Sequence, residues 1–394
     1  MRVLFLSGWF PYPPDNGSKI RVFNLIKQLS RKHEVTLLTF AQGSVSKDRL
    51  TEMEFYCQSV HVVPYVEFEP KRLRAILGFF SPRPRSVVDI YSPEMHAMVR
   101  EVDKGNSFDI VIASQLRSAP YALLLKRPRI FEEVELTVIR EQFTRQRDFI
   151  RKVRYGLTWH KLSHFMAKLL YKFDGCTVVS EREWDNVLKI APTYCSVAVV
   201  PNGVDLDFYT GDFGAPEPNT LIHTGVLTYD ANFDAVDFFL SDIFPLLEAR
   251  QAGVTLRITG KTNGVAVGRL PQCEGVIFTG YLDDIRSAVA QSWACVVPLQ
   301  VGGGTRLKIL EAMALGTPVV STSKGAEGLE VTHEENILIA DAPADFAQAV
   351  IHLLGDENLR AKLSANGRRL VEERYSWEMC ARPLEQLLYQ VMEQ

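Results

Sequence analysis

The stretch VGGGTRLKILEAMALGTPVVST, residues 301–322, decides how this chain is read. Gly302, Gly303 and Gly304 lead through Thr305 into Arg306 and Lys308, which the pattern places on the first turn of a helix. Leu307, Leu310, Met313 and Ala314 form the apolar side of that helix, Gly316-Thr317-Pro318 stops it, and Val319 to Thr322 reads as a buried strand. Glycines ahead of a helix let backbone N–H groups approach an anion, and the helix dipole favours negative charge there. The two cations add direct pairing to a diphosphate, and Glu311 on the same helix reaches hydroxyls of the attached sugar. The expectation is a nucleotide-diphosphate pocket that reads phosphate and ribose separately. A glycine loop before a helix also serves as a plain tight turn. Glu311 tips the balance, because it sits among Leu310, Ala312 and Met313, where a carboxylate needs a partner.

The chain has 394 residues, enough for two domains, and its 46% hydrophobic content can fill two cores. A net charge of -3 conceals an asymmetry, with residues 1–200 carrying +9 and residues 201–394 carrying -12. The first half is therefore expected to meet something anionic, and a phospholipid surface or a lipid phosphate fits as well as nucleic acid does. Cys57, Cys176, Cys195, Cys273, Cys295 and Cys380 form no C-x-x-C pair, which suits reduced thiols in a cytoplasmic protein. The opening MRVLFLSGWF is too short an apolar run for a signal peptide and reads as a first strand. No run of eighteen apolar residues occurs, so no membrane span is expected.

Short β-branched runs alternate with helical patterns throughout, as parallel α/β sheets require. Strands are expected at 3–7, 35–40, 59–63, 110–113, 130–133 and 175–179, with a helix over 18–31 joining the first two. The second half repeats the scheme at 220–224, 255–259, 275–279, 295–298, 319–321 and 337–340. Two Rossmann-like halves follow, divided at the turn signal Val199-Val200-Pro201-Asn202-Gly203-Val204-Asp205. The tail from Ser376-Trp377 onward reads as one amphipathic helix. The predicted domains are 1–200, 201–375 and a terminal helix, 376–394.

The 301–322 string resembles the donor-binding segment of family-4 glycosyltransferases with the GT-B fold, in which a glycine-rich loop precedes L-E-A-M-A-x-G-x-P-V-V. The V-P-N-G-V-D string resembles their interdomain hinge. The resemblance implies an α/β fold of two Rossmann-like domains facing across a cleft, the C-terminal helix crossing back to the first. It implies a retaining transferase that moves a sugar from a nucleotide diphosphate sugar to a glycan or lipid-linked acceptor. The leaving diphosphate itself would take the acceptor proton, so no protein nucleophile, cofactor, metal or nucleic-acid partner is called for. Surface-glycan assembly, in the cytoplasm or peripherally at the inner face of the membrane, would be its setting.

Three departures from the family pattern stand out. Gly303 occupies the place of the first glutamate of E-x7-E, leaving sugar recognition to backbone N–H groups of the Gly302–Thr305 loop. Glu311 survives as the second glutamate, the one that holds ribose hydroxyls in the family. After the first strand of the second half, Gly225 to Asn232 stands where relatives carry an arginine and a lysine, so Arg306 and Lys308 are expected to take over the diphosphate. Near the end of strand 110–113, Ser114 or Gln115 replaces a histidine that lies close to the reacting sugar in the family. A degenerate scaffold that only binds a sugar nucleotide, or a sugar-nucleotide epimerase with acid and base groups in its first domain, are the alternatives.

Ligands of open parallel sheets sit beyond the carboxyl ends of the strands. The loop Gly8 to Lys19 therefore matters, with Gly17 expected near the diphosphate and Ser18 as an ordinary cap if it is not. Glu132 and Glu133, of which alternation aims only one inward, and Arg117 are expected on the acceptor side. Tyr281 or Leu282 is expected beside the base, before a turn capped by Asp283. Asp205-Leu206-Asp207 and the pair His160 and His164 have metal-binding spacings but lack the surrounding ligands, and no metal is assigned to either. Two basic stretches studded with apolar residues, 71–85 and 140–172, suit an anionic membrane surface or pack as solvated helix faces.

Overall fold

Runs of consecutive apolar residues such as Val3 to Leu6 and Ile110 to Ala113 cannot leave either face in water, and they fold as strands covered on both sides. In the computed structural model, which describes residues 1–136, 140, 148–302 and 306–393, these runs build two parallel sheets. The first contains β1 (Arg2–Ser7), β2 (Glu34–Ala41), β3 (Ser59–Pro64), β4 (Ile110–Ser114), β5 (Arg129–Glu132), β6 (Gly175–Val178) and β7 (Val197–Val199), in the order β3-β2-β1-β4-β5-β6-β7. The second contains β8 (Glu217–Thr224), β9 (Thr255–Thr259), β10 (Val276–Gly280), β11 (Ser292–Val297), β12 (Val319–Ser321) and β13 (Leu338–Ile339), ordered β10-β9-β8-β11-β12-β13.

The chain divides into two compact units, Met1–Pro201 with Cys380–Gln394, and Asn202–Met379. In the second unit the pleat separates two cores. Leu221, Ala294 and Val296 face one, against Phe239 and Phe346, while Ile222, Cys295 and Val297 face the other, against Ile309 and Met313. The helix Trp377–Met392 enters the first unit with Leu384, Leu387, Leu388 and Val391 buried. Gly175 in β6 makes room for it: a Cβ there would stand 3.0 Å from Leu387 Cδ1. Lys32 ties the same helix by an ion pair of 2.9 Å to Glu385.

Each sheet reverses its winding once, between β1 and β4 in the first unit and between β8 and β11 in the second. A ligand crevice opens at such a switch point, outside the carboxyl ends of the strands. Register makes the first end level, since Ser7 pairs with Ser114 and Ser114 with Glu132.

Three local expectations are corrected. Residues 197–199 form a strand, β7, before the interdomain turn. The helix Gly17–Leu29 is capped by Asn16, whose side chain accepts from Lys19 N, and Ser18 lies inside it. Asp283 caps nothing: Ile285 stands at the cap of the helix Arg286–Ala290, and Asp284 accepts from Arg286 N.

Candidate active site

At the switch point of the second unit, β8 is followed by Gly225 at φ +135 and β9 by Gly260 at φ +130. Their backbones touch: a Cβ on Gly260 would lie 2.3 Å from Gly225 O, so only glycine fits. The loop after β11 feeds the helix Leu307–Ala314. Arg306 is the cap residue of that helix rather than part of its first turn, because the helix starts one residue later than the sequence pattern suggests. Gly303, Gly304 and Thr305 lie outside the described residues.

Lys308 reaches the glycine turn. Its Nζ donates to Asn232 Oδ1 at 2.9 Å and would stand 3.0 Å from a Cβ on Gly225, while Asn232 Nδ2 donates to Val226 O. Burial lowers the Lys308 pKa to about 8, with the Arg306 charge acting in the same direction. The neighbouring His223 is fully enclosed, and burial followed by the Lys308 charge lowers its pKa to about 3, so it stays neutral. Arg306 turns inward: 7% exposed, it donates to Gly302 O at 2.8 Å and to Lys324 O at 3.3 Å. It ties Gly302 to the segment at Lys324, while Lys308 is aimed at the Gly225 turn.

Glu311, one turn further along, has the partner that its apolar neighbours demanded: the Tyr209 hydroxyl. Burial raises the Glu311 pKa, opposed by the Tyr209 hydrogen bond and the Lys308 charge. Tyr281 is 58% exposed with Lys261 Nζ 5.1 Å from its ring centroid, and Leu282 beside it is half-buried. Gly17, the first residue of its helix in the other unit, has open space around it.

In the first unit the strand ends carry two layers of polar residues. Underneath, Glu132 pairs with Arg21 Nε at 2.6 Å and accepts from Ser114 Oγ at 2.6 Å. Arg21 also donates to Val200 O at 2.7 Å, and Arg21, Ser114 and Glu132 have no exposed surface. Ser114 and Glu132, expected at the open strand ends, are thus buried against Arg21 in this structure. A buried carboxylate in a sheet requires a counter-charge, which Arg21 supplies to Glu132, while Ser114 completes the carboxylate's hydrogen bonds.

Above them, Gln115 and Glu133 both adopt left-handed backbone conformations, φ +67 and +59, which turn their side chains out of the strand direction. Gln115 Nε2 donates to Glu133 Oε2 at 2.8 Å, and Trp9 Nε1 donates to Gln115 Oε1 at 3.1 Å. Glu133 is pushed up to about 7 by burial, then by the neighbouring Glu132 charge, with Arg21 pulling it down. Trp9 stacks on Tyr65 with ring centroids 4.7 Å apart, and Arg117 lies 4.0 Å over the Tyr65 ring. The Arg117 guanidinium is committed to Tyr65 Oη and Val66 O, so it buttresses this wall. The sequence reading missed Tyr209, Asn232, Trp9 and Tyr65. Only Asn232 carried a signal, as the last residue of the run that replaces the family's basic pair.

Two family models match the chain in tandem: Glycosyltransferase Family 4 over residues 15–208 and Glycosyl transferases group 1 over residues 218–356. The chain is 20% identical to an uncharacterized 44.6 kDa protein in the cps region of Klebsiella pneumoniae, over 95% of this chain and 96% of that one. It is 30% identical to the putative glycosyltransferase YtcC of Bacillus subtilis over 31% of each. Sucrose-phosphate synthase from Thermosynechococcus elongatus superposes with a TM-score of 0.71 at 18% identity, covering 100% of both chains. Anabaena Alr3699/HepE in complex with UDP and glucose gives 0.68 at 16% identity, covering 99% of this chain and 100% of that one. These likenesses show a GT-B fold of two Rossmann-like α/β domains.

Proposed function

We propose that this chain, which belongs to the family-4 glycosyltransferases, moves a sugar from a nucleotide diphosphate sugar to a glycan or lipid-linked acceptor with retention of configuration. The observation that carries the reading is the corner formed by Gly225, Asn232 and Lys308 at the β8/β11 switch point. It offers an ammonium, an amide and a side-chain-free turn to a diphosphate. Glu311 and Tyr209, one turn away, supply acceptor and donor groups for ribose hydroxyls. As the glycosidic bond breaks, negative charge grows on the diphosphate, and Lys308 stabilises it there. The departing phosphate oxygen takes the acceptor proton on the same face, so neither a protein nucleophile nor a metal is needed. On the acceptor side, Gln115 and Glu133 bind hydroxyls beside the Trp9 ring, a flat apolar surface on which a sugar can stack. The acceptor is met at an anionic membrane surface by the basic stretches of the first unit.

A thermal-shift panel of nucleoside diphosphates, beginning with UDP, tests the reading. One nucleotide should stabilise the protein, and Lys308→Met and Glu311→Ala should each abolish its shift. Equal shifts in wild type and both variants would remove this corner as the donor site. With the matching sugar nucleotide, slow release of free sugar without an acceptor is expected. Accumulation of an epimerised sugar nucleotide, or binding without turnover under every acceptor tried, would overturn the transferase assignment. Chelation with EDTA should leave the rate unchanged.

A further inference from the structure

Residues of both basic stretches, Arg74 and Arg83 from one and Lys168 and Lys172 from the other, line one groove. The helix Leu73–Leu77, the turn after it and the helix Arg85–Asp89 form one side, and the helix Phe149–Leu170 forms the other. The groove has a volume of about 800 Å³, the size of an organic ligand rather than an ion. Its floor is apolar, made by Val88, Leu123, Leu124 and Phe165 among others, and its rim carries Arg74, Arg83, Lys168 and Lys172. None of its lining residues is acidic. Lys161 Nζ donates to Phe79 O at 2.6 Å and to Ser81 O at 3.2 Å, which fastens the turn to the long helix and makes the rim one piece.

Large apolar side chains stand in water on the same elements. Leu73 is 69% exposed and Phe80 88%. Phe149, Val153 and Leu157, spaced four apart on one face of the long helix, are exposed as well. A site for a soluble phosphate or a nucleic acid needs the cations but not this apolar fringe. A surface that dips into the headgroup layer needs both, because cations meet phosphates there while aromatic and aliphatic side chains enter the acyl region.

We propose that the groove seats one anionic phospholipid of the membrane leaflet, its phosphate on Arg83, Lys168 and Lys172 and one acyl chain along the apolar floor. The inference rests on the membrane-surface reading given above and adds a defined, single-lipid site to it. Such a site fixes the depth and tilt of the first unit on the leaflet, instead of letting it slide on diffuse charge.

Two measurements separate the site from the surface reading. The 394-residue protein should pellet with phosphatidylcholine vesicles containing phosphatidylglycerol and stay in solution with phosphatidylcholine alone. Lys168→Ala/Lys172→Ala should lower this partitioning about thirtyfold, at a factor of about five per surface cation. Native mass spectrometry of protein recovered from the anionic vesicles should show one retained phospholipid. That lipid should be lost in Val88→Trp, which obstructs the apolar floor, and near-ultraviolet circular dichroism and the nucleotide thermal shift should remain as in wild type. Pelleting without a retained lipid, or a lipid still held by the properly folded Val88→Trp protein, overturns the groove and leaves the surface reading standing. Equal pelleting with both vesicle types, or release from anionic vesicles by a single-stranded oligonucleotide at low concentration, overturns both.

Discussion

Lys308 owes its position to two glycines and an asparagine, and its chemistry to what surrounds it. Enclosed by the Gly225 turn and Asn232, with Arg306 nearby, the ammonium loses its proton more readily than an exposed lysine. A bound diphosphate reverses that, since the anion favours the charged form. Lys308→Met should therefore weaken nucleoside diphosphate binding about thirtyfold, roughly 2 kcal/mol for a charge-assisted hydrogen bond, as read by titration calorimetry. Affinity in the wild type should fall as pH rises above about 8, and the Met variant should lack that dependence. The stability of the free protein moves the opposite way. From about 8 up to the ordinary 10.5, the unfolded chain binds more protons than the folded one, so this group's contribution to stability grows with pH. Glu133 has the reverse sign. Its folded pKa near 7 lies above the ordinary 4.5, so its contribution to stability is lost as pH rises through that window. Glu133→Gln should flatten the stability profile between those values in urea titrations, and should remove an ionisation near 7 from the pH profile of acceptor-dependent turnover. An unchanged profile would mean that Glu133 does not meet the acceptor. At this scale the chain disclosed residues inside one contiguous string and, at strand ends, Gly225, Gln115 and Glu133. Arg306, Lys308 and Glu311 can be read from 301–322, whereas Asn232 is 76 positions from Lys308 and becomes its partner only through the sheet order.

At the level of elements, the buried pair of Arg21 and Glu132 joins the helix Gly17–Leu29 to the end of β5, and through Val200 O to the segment after β7. With Ser114 completing the carboxylate's hydrogen bonds, three strand ends and a helix are held in one register. The pair is the floor on which Gln115 and Glu133 stand. Arg21→Met should cost about 3–5 kcal/mol in denaturant titrations, because Glu132 is left charged and buried without its partner. Arg21→Met/Glu132→Gln should recover most of that loss, as neither remaining side chain carries a charge. Equal losses in the single and double variants would show that packing, not charge, matters there. The strands themselves were legible, because a fully covered parallel strand is a continuous apolar run and needs no long-range information. β7 escaped because three residues before a Pro-Asn-Gly turn carry too little pattern. The inward turn of Arg306 escaped as well, since an arginine ahead of a helix looks the same in sequence whether it faces a ligand or the loop it braces.

Across the whole molecule, the chain order of the first unit is broken: its last helix arrives from residues beyond the second unit. Leu384, Leu387, Leu388 and Val391 are each 3% exposed or less, and Gly175 keeps β6 bare of a side chain where Leu387 and Val391 approach. At about 1.5–3 kcal/mol for each buried side chain, these four contribute on the order of 6–12 kcal/mol, an upper bound because the unfolded chain is not fully extended. Net stabilities of domains are of similar size, about 5–15 kcal/mol, so removal of this helix takes the first unit to the edge of folding. A chain ending after Met379 should thus lose the protection of β1, β4 and β6 amides in hydrogen exchange. It should keep protected amides in β8 and β11, whose cores, built from Phe239 and Phe346 on one face and Ile309 and Met313 on the other, contain none of the deleted residues. The truncated protein should still show a thermal shift with the cognate nucleoside diphosphate, because Gly225, Asn232, Lys308, Glu311 and Tyr209 all belong to the second unit. Glycosyl transfer should be lost, since the Gln115–Glu133 wall stands on the strands that have been exposed. Retained protection of β1 and β4 would show that the first unit folds without the terminal helix. Loss of the nucleotide shift together with loss of β8 protection would show that the two units do not fold as separable bodies.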